Sequence, residues 1–115
     1  MKYSLKQHLL TEILDAEQEN IISPIINNDL QSVEQGIEQG QRIGMLQNIS
    51  HTNDGSSLRW DFKVTKELQS ALANEYYDLL NRPGPMPAPI KLDLEHTQKP
   101  DRQGLVDLAI IFRVG

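Results

Sequence analysis

Residues 58–64 read Leu58-Arg59-Trp60-Asp61-Phe62-Lys63-Val64. Apolar Leu58, Trp60, Phe62 and Val64 alternate without a break with charged Arg59, Asp61 and Lys63. A period of two predicts a strand with one face in a core and the other in water. Thr65 follows at once and can act as a helix N-cap, with Glu67 in the first turn where a carboxylate suits the helix dipole. Leu68, Leu72, Tyr76 and Leu79 then recur at helical spacing, flanked by Ala71 and Leu80. Asn81-Arg82-Pro83-Gly84-Pro85 stops that helix. A strand feeding directly into a helix is therefore the frame for the rest of the chain.

Upstream, Thr52-Asn53-Asp54-Gly55-Ser56 has turn chemistry, because Asn, Asp and Gly tolerate positive φ. A hairpin follows from it, with Ser57–Val64 returning antiparallel to a strand over Arg42–Ser50 that presents Ile43, Met45 and Ile49 on one face. Downstream, Pro83, Pro85, Pro87 and Pro89 recur every second residue. Their spacing suits a stiff extended connector and not the three-residue spacing of SH3-type ligands. Ile90–Glu95 alternates again, and His96–Gln103 reads as a polar loop. Leu105–Val114 is the last strand. Val106, Leu108, Ile110, Phe112 and Val114 form one face, while Ala109 and Ile111 make the other partly apolar. Such a strand is either central or an edge that pairs with another chain.

Residues 3–19 read as a helix with Leu5, Leu9, Ile13 and Leu14 on one stripe. Pro24 marks Asn20–Asn28 as a connector, and Ile21, Ile22, Ile25 and Ile26 within it need a core or a partner to cover them. Asp29 is a candidate N-cap for a second helix through Leu30, Val33 and Ile37. Gly36, Gly40 and Gly44 are four apart. Two readings fit: one helix through all three glycines, with a smooth stripe for close helix packing, or a helix ending at Gly40. The second is preferred, since each interior glycine costs about 1 kcal/mol relative to alanine.

The expected fold class is α+β. Two N-terminal helices precede a β-hairpin, a helix and two further strands, forming a four-stranded, mainly antiparallel sheet with helices on one face. Residues 1–115 read as a single domain, with an acidic helical part (1–41) and a ββαββ part (42–115). The chain has 115 residues, 38% hydrophobic and 5% aromatic, so the core is mostly aliphatic. It has no cysteine, which removes disulfides and thiolate chemistry. Lys6, Gln7 and His8 interrupt any signal-peptide core, and no stretch approaches the ~18 apolar residues of a membrane span. The expected location is cytoplasmic or within an assembled particle, away from membranes.

Net charge is −5 and unevenly placed. Residues 1–38 hold two basic and seven acidic side chains; residues 39–115 hold nine of each. Such a chain does not suit a nucleic-acid backbone, whose affinity comes from clustered Lys and Arg. No P-loop, G-x-G-x-x-G, G-x-S-x-G or S-x-x-K motif occurs, and no cofactor is expected. His8 faces Glu12 one helical turn on. The weak candidates for a metal or acid–base site are His51 and Asp54 around the hairpin turn, and Asp93 and His96 at the end of the third strand.

Function is read as non-catalytic protein–protein interaction or assembly. The partner is another copy of the chain, another protein, or both, as in virion-assembly or mobile-element accessory components. Its candidate interface is Ile21, Ile22, Ile25, Ile26, Gly36, Gly40, Ala109 and Ile111. The helix-then-sheet order loosely resembles phage tail-completion domains, a likeness of element order with no residue motif behind it. Two alternatives stand beside it: an acidic inhibitor or immunity-type protein that occupies a basic site, and a small ligand-binding domain or hydrolase using His51, Asp93 and His96.

Overall fold

The computed structural model describes residues 5–81, 90–97 and 99–114, with side chains from residue 16 onward. The expected contact of the His8 and Glu12 side chains and the Pro83–Pro89 connector lie outside what is described. The elements are α1 (Leu5–Ile26), α2 (Leu30–Arg42), β1 (Gln47–Asn53), β2 (Ser57–Thr65), α3 (Lys66–Leu80), β3 (Leu92–His96) and β4 (Leu105–Arg113). The expected α+β architecture is what forms. Its sheet is antiparallel throughout, in the order β1-β2-β4-β3.

The alternation in β2 places Trp60, Phe62 and Val64 in the core, opposite Ile110, Leu108 and Val106 of β4. Thr65 caps α3 by accepting a hydrogen bond from the Leu68 N–H at 3.2 Å. The helix then lays Leu68, Leu72, Tyr76 and Leu79 inward. One polar side chain goes with them. Gln69 is buried and donates through Nε2 to the carbonyls of Thr97 (2.7 Å) and Asp107 (3.1 Å). Burying that amide is tolerable because both of its N–H groups find carbonyls. β4 is central, paired with β2 on one side and β3 on the other.

Two local expectations need correction. The segment from Asn20 is not a connector: α1 continues through Pro24 to Ile26. Pro24 lies in the last turn, where it removes one intrahelical bond at a cost of about 3 kcal/mol. Burying Ile21, Ile22 and Ile25 each stabilises by about 1.5–3 kcal/mol, which exceeds that cost. Asn28, at φ 59°, then reverses the chain, and Asp29 caps α2 by accepting from the Ser32 N–H at 3.2 Å.

The second correction concerns the glycines. α2 does not end at Gly40 but at Arg42, with Gly44 as the left-handed residue beyond it at φ +80°. The Gly44 N–H bonds the Gln41 carbonyl, and the Met45 N–H bonds the Gly40 carbonyl, which is a Schellman arrangement. The strand therefore starts at Gln47 and not near Arg42. A bulge follows at Asn48 (φ 55°), where the pairing with β2 slips by one residue. Because of it, Leu46 and Ile49, three apart, both pack toward the helix layer. Ile43 and Met45 pack against the core from the turn.

Gly36 and Gly40 are both buried in α2. A Cβ on Gly36 would sit 2.8 Å from the Ile21 carbonyl oxygen and 2.8 Å from Ile25 Cγ1. Since one obstacle is α1 backbone, the helices must separate to admit it. We predict that Gly36→Ala lowers stability by ~1–3 kcal/mol in urea titrations, even though alanine gains about 1 kcal/mol in helix propensity. Gln35→Ala, on the exposed side of the same turn, should stay within ~0.5 kcal/mol of wild type. A Gly36→Ala protein as stable as wild type would mean the two helices are not held at this separation.

Candidate functional site

The sheet order separates the candidate polar residues. His51 is on β1, while Asp93 and His96 are on β3, and these strands are opposite edges of the sheet. Three strand spacings of about 4.8 Å put them ~14 Å apart across the sheet. Among the described residues no group of three or more His, Asp or Glu is arranged to hold a metal. Each candidate has a local partner instead. Asp54 accepts from the N–H groups of Ser57 (2.8 Å) and Ser56 (3.0 Å), closing the hairpin turn. Those bonds, Ser57 first, hold its carboxyl below the ordinary range. Asp93 accepts from the Tyr76 hydroxyl at 3.1 Å. Burial, then the Asp93 charge, pushes the Tyr76 phenol up to about 12. The His96 Nε2 lies 3.5 Å from the Tyr77 hydroxyl, and its buried Nδ1 has no hydrogen bond among the described residues.

The candidate interface residues fall in several places. Ile21, Ile22 and Ile25 are 1%, 3% and 0% exposed, and Ile26 packs partly buried against the same core. Gly36 faces α1, and Gly40 faces Leu46. Their apolar surface is thus used inside the chain. Ala109 and Ile111 lie on the sheet face away from the helices. Ala109 sits in register between Asp61 and Glu95, and Arg59 spans it. Arg59 Nε lies 3.0 Å from Asp61 Oδ2, and Nη1 lies 2.8 Å from Glu95 Oε1. Beneath that bridge Ala109 is 4% exposed, whereas Ile111 beside it is half-buried. Farther along, Lys63 joins Asp107 (3.1 Å) and Asp101 (3.2 Å). The outer face is a set of paired charges, each screened by the water around it.

The two sheet edges differ. In β3 the Leu94 N–H, which points away from β4, is taken by its neighbour Asp93 Oδ1 at 2.9 Å. The Lys91 N–H is taken by Asn28 Oδ1, and the Ile90 carbonyl by Arg113. Side chains thus take the Leu94 N–H and the chain's entry to β3, while the outward main chain of Leu92 and His96 meets no side-chain bond among the described residues. β1 is otherwise. The Asp54 N–H bonds the Ser57 carbonyl, so the two-residue alternation of an antiparallel ladder gives Thr52 and Ser50 the main-chain bonds to β2. The main chain of His51 and Asn53 then faces outward, and among the described residues no side chain bonds it there.

His51 and Trp60 form a pair not bonded through the main chain, which brings their side chains close. Their rings stack with centroids 4.9 Å apart. The His51 Nδ1–H donates to the Arg59 carbonyl at 3.2 Å and keeps the ring in place. Together with Ile37, Ile49, Glu34 and Glu38 these rings line a groove of about 320 Å³ between β1 and α2. One signal for this edge is already in the sequence. Gln47-Asn48-Ile49-Ser50-His51-Thr52-Asn53 contains no Lys, Asp, Glu or Pro, the residues that usually guard an exposed edge. Nothing in sequence order places Glu34 and Glu38 beside it.

Comparisons with protein-family models, with curated proteins and with solved structures find no match.

Asp101 gives a test of the charged outer face. Its Oδ1 accepts from the Leu105 and Gln103 N–H groups, and its Oδ2 meets Lys63. The Leu105 bond is the main cause holding its carboxyl below the ordinary value of 3.8. A lowered carboxyl stabilises the fold above the unfolded-state value and loses that contribution as pH falls through the folded one. Asp101→Asn keeps an acceptor oxygen but no charge. We predict that it is less stable than wild type at pH 5 and that the gap narrows as pH falls below 3.8, measured by urea midpoints. A gap that stays constant would show that the charge contributes nothing.

Proposed function

We propose that this chain is a non-catalytic protein–protein interaction domain of an assembly, and that it takes its partner on the β1 edge. The observation that supports this is the contrast between the edges. Side chains take the Leu94 N–H of β3 and the main chain just before that strand, through Asp93, Asn28 and Arg113, whereas β1 leaves His51 and Asn53 open beside a groove lined by stacked rings. A row of unpaired N–H and C=O groups is a template for an added strand. Self-association through the isoleucines is less well supported, because those side chains are in the core. The acidic inhibitor reading is favoured by Glu34 and Glu38, both exposed on α2, and would have the partner dock on helix faces. A hydrolase built on His51, Asp93 and His96 needs groups that lie on opposite edges.

The test is a selection of linear peptides from a random display library against the full chain, followed by amide-shift mapping. Peptides that perturb residues 49–53 are expected. His51→Pro removes an outward N–H without breaking a main-chain bond to β2, a position where an edge strand tolerates proline, and it also removes the ring's bond to Arg59 and its stack on Trp60. It should weaken binding by at least about tenfold while the protein remains folded, with a modestly lower thermal midpoint. His51→Phe keeps the N–H and a ring on Trp60 and should bind like wild type. A selection that yields no specific peptide, or only peptides mapping to α1 and α3, overturns the proposal.

A further inference from the structure

We infer that the occupant of the β1 edge is an extended segment of another protein, apolar at alternate positions and carrying Lys or Arg, which adds as a fifth strand to the four-stranded sheet. The inference rests on the edge docking proposed above and names its ligand.

The chemistry follows from the two sides of β1. A strand added there sends alternate side chains to opposite faces of the sheet. On the helix side they enter the groove and meet Ile49, Ile37 and the stacked His51 and Trp60 rings. Those positions favour branched or aromatic side chains. On the other side they meet the hydroxyls of Ser50 and Thr52, which suit Ser, Thr or Asn. The groove's far wall is α2, where Glu34 and Glu38 stand exposed one turn apart. Arg42 pairs with Glu38 at 3.3 Å. Glu34 has no ion pair among the described residues. The rim therefore keeps a net negative charge, and a cationic residue at the end of an inward-pointing run would meet it. Glu17, Glu19 and Asp29 on the same helical part add a long-range attraction of the same sign.

The same charge argues against a second copy. Joining β1 to β1 antiparallel about a two-fold axis would carry both α2 helices to the same side of one continuous sheet. The Glu34 and Glu38 rims would then approach each other, like charge against like charge.

Two capped octapeptides of alternating valine and threonine test this, one ending in lysines and the other in glutamates. Each is titrated into the full chain with amide shifts read by NMR. The lysine form is expected to shift residues 49–53 and to bind at least about fivefold more tightly at low salt than the glutamate form, a margin that shrinks at 0.5 M salt. Glu34→Lys, at an exposed position, should remove that margin without altering the thermal midpoint. Equal binding of both peptides at residues 49–53 overturns the charge selection while leaving edge docking in place. Lysine-peptide shifts confined to α1 or α3 overturn the inference and point to an acidic helix face. No binding by either peptide overturns it, with the library selection then deciding separately whether the edge binds protein at all. A dimer in light scattering whose contacts map to β1 would replace the peptide with a second copy.

Discussion

β4 is paired along both of its edges, and most of the molecule's arrangement depends on that. Its inner face is Val106, Leu108, Ile110 and Phe112, each 4% exposed or less. Four apolar residues at a period of two can be buried only if a helix layer lies over them and strands lie beside them. β2 supplies one neighbour with Trp60, Phe62 and Val64 in register, and β3 supplies the other with Leu92 and Leu94. The hairpin partner β1 is thereby pushed to one rim and β3 to the other. This keeps His51 away from Asp93 and His96, and gives the protein two edges to protect.

The helical layer is held to the sheet by close approach as well as by apolar area. Gly36 lets α1 and α2 meet with the Ile21 carbonyl almost against the α2 backbone, and Gly40 leaves room for Leu46. The isoleucines of α1 fill what the glycines leave open. Residues from both the helical part and the ββαββ part belong to one hydrophobic core. The acidic side chains of α2 lie on the side turned away from that core, which is why Glu34 and Glu38 are free to line the groove at β1.

An edge strand without charge or proline invites pairing, and here such a strand borders a groove while the opposite edge is partly taken by the chain's own side chains. Asp93 takes the outward Leu94 N–H and at the same time receives the Tyr76 hydroxyl, so one carboxylate serves both the edge and the helix layer. β1 has no such residue. Its bulge at Asn48 twists only the start of the strand, and the stretch from Ser50 to Asn53 remains regular. A partner that supplies main-chain groups there adds hydrogen bonds without displacing any that the chain makes with itself.

The order and type of the elements were legible in the residues themselves. Strict alternation in β2 and β4, the Thr65 and Asp29 caps and the Asn-Asp-Gly turn are local signals, set by where side chains point and which backbones each residue tolerates. The extension of α1 through Pro24 and of α2 past Gly40 to Arg42 was not legible. Local propensity opposes both, and burial of Ile21, Ile25 and Leu46 across the helix pair outweighs it. Nor could local pattern show that β4 inserts between β2 and β3, since strand order follows from long-range packing. The candidate edge was half legible: the uncharged run Gln47–Asn53 is visible in the chain. Its pairing with Glu34 and Glu38 exists only because α2, ending at Arg42, turns back over the sheet and sets its exposed carboxylates beside a strand that sequence order leaves separate from them.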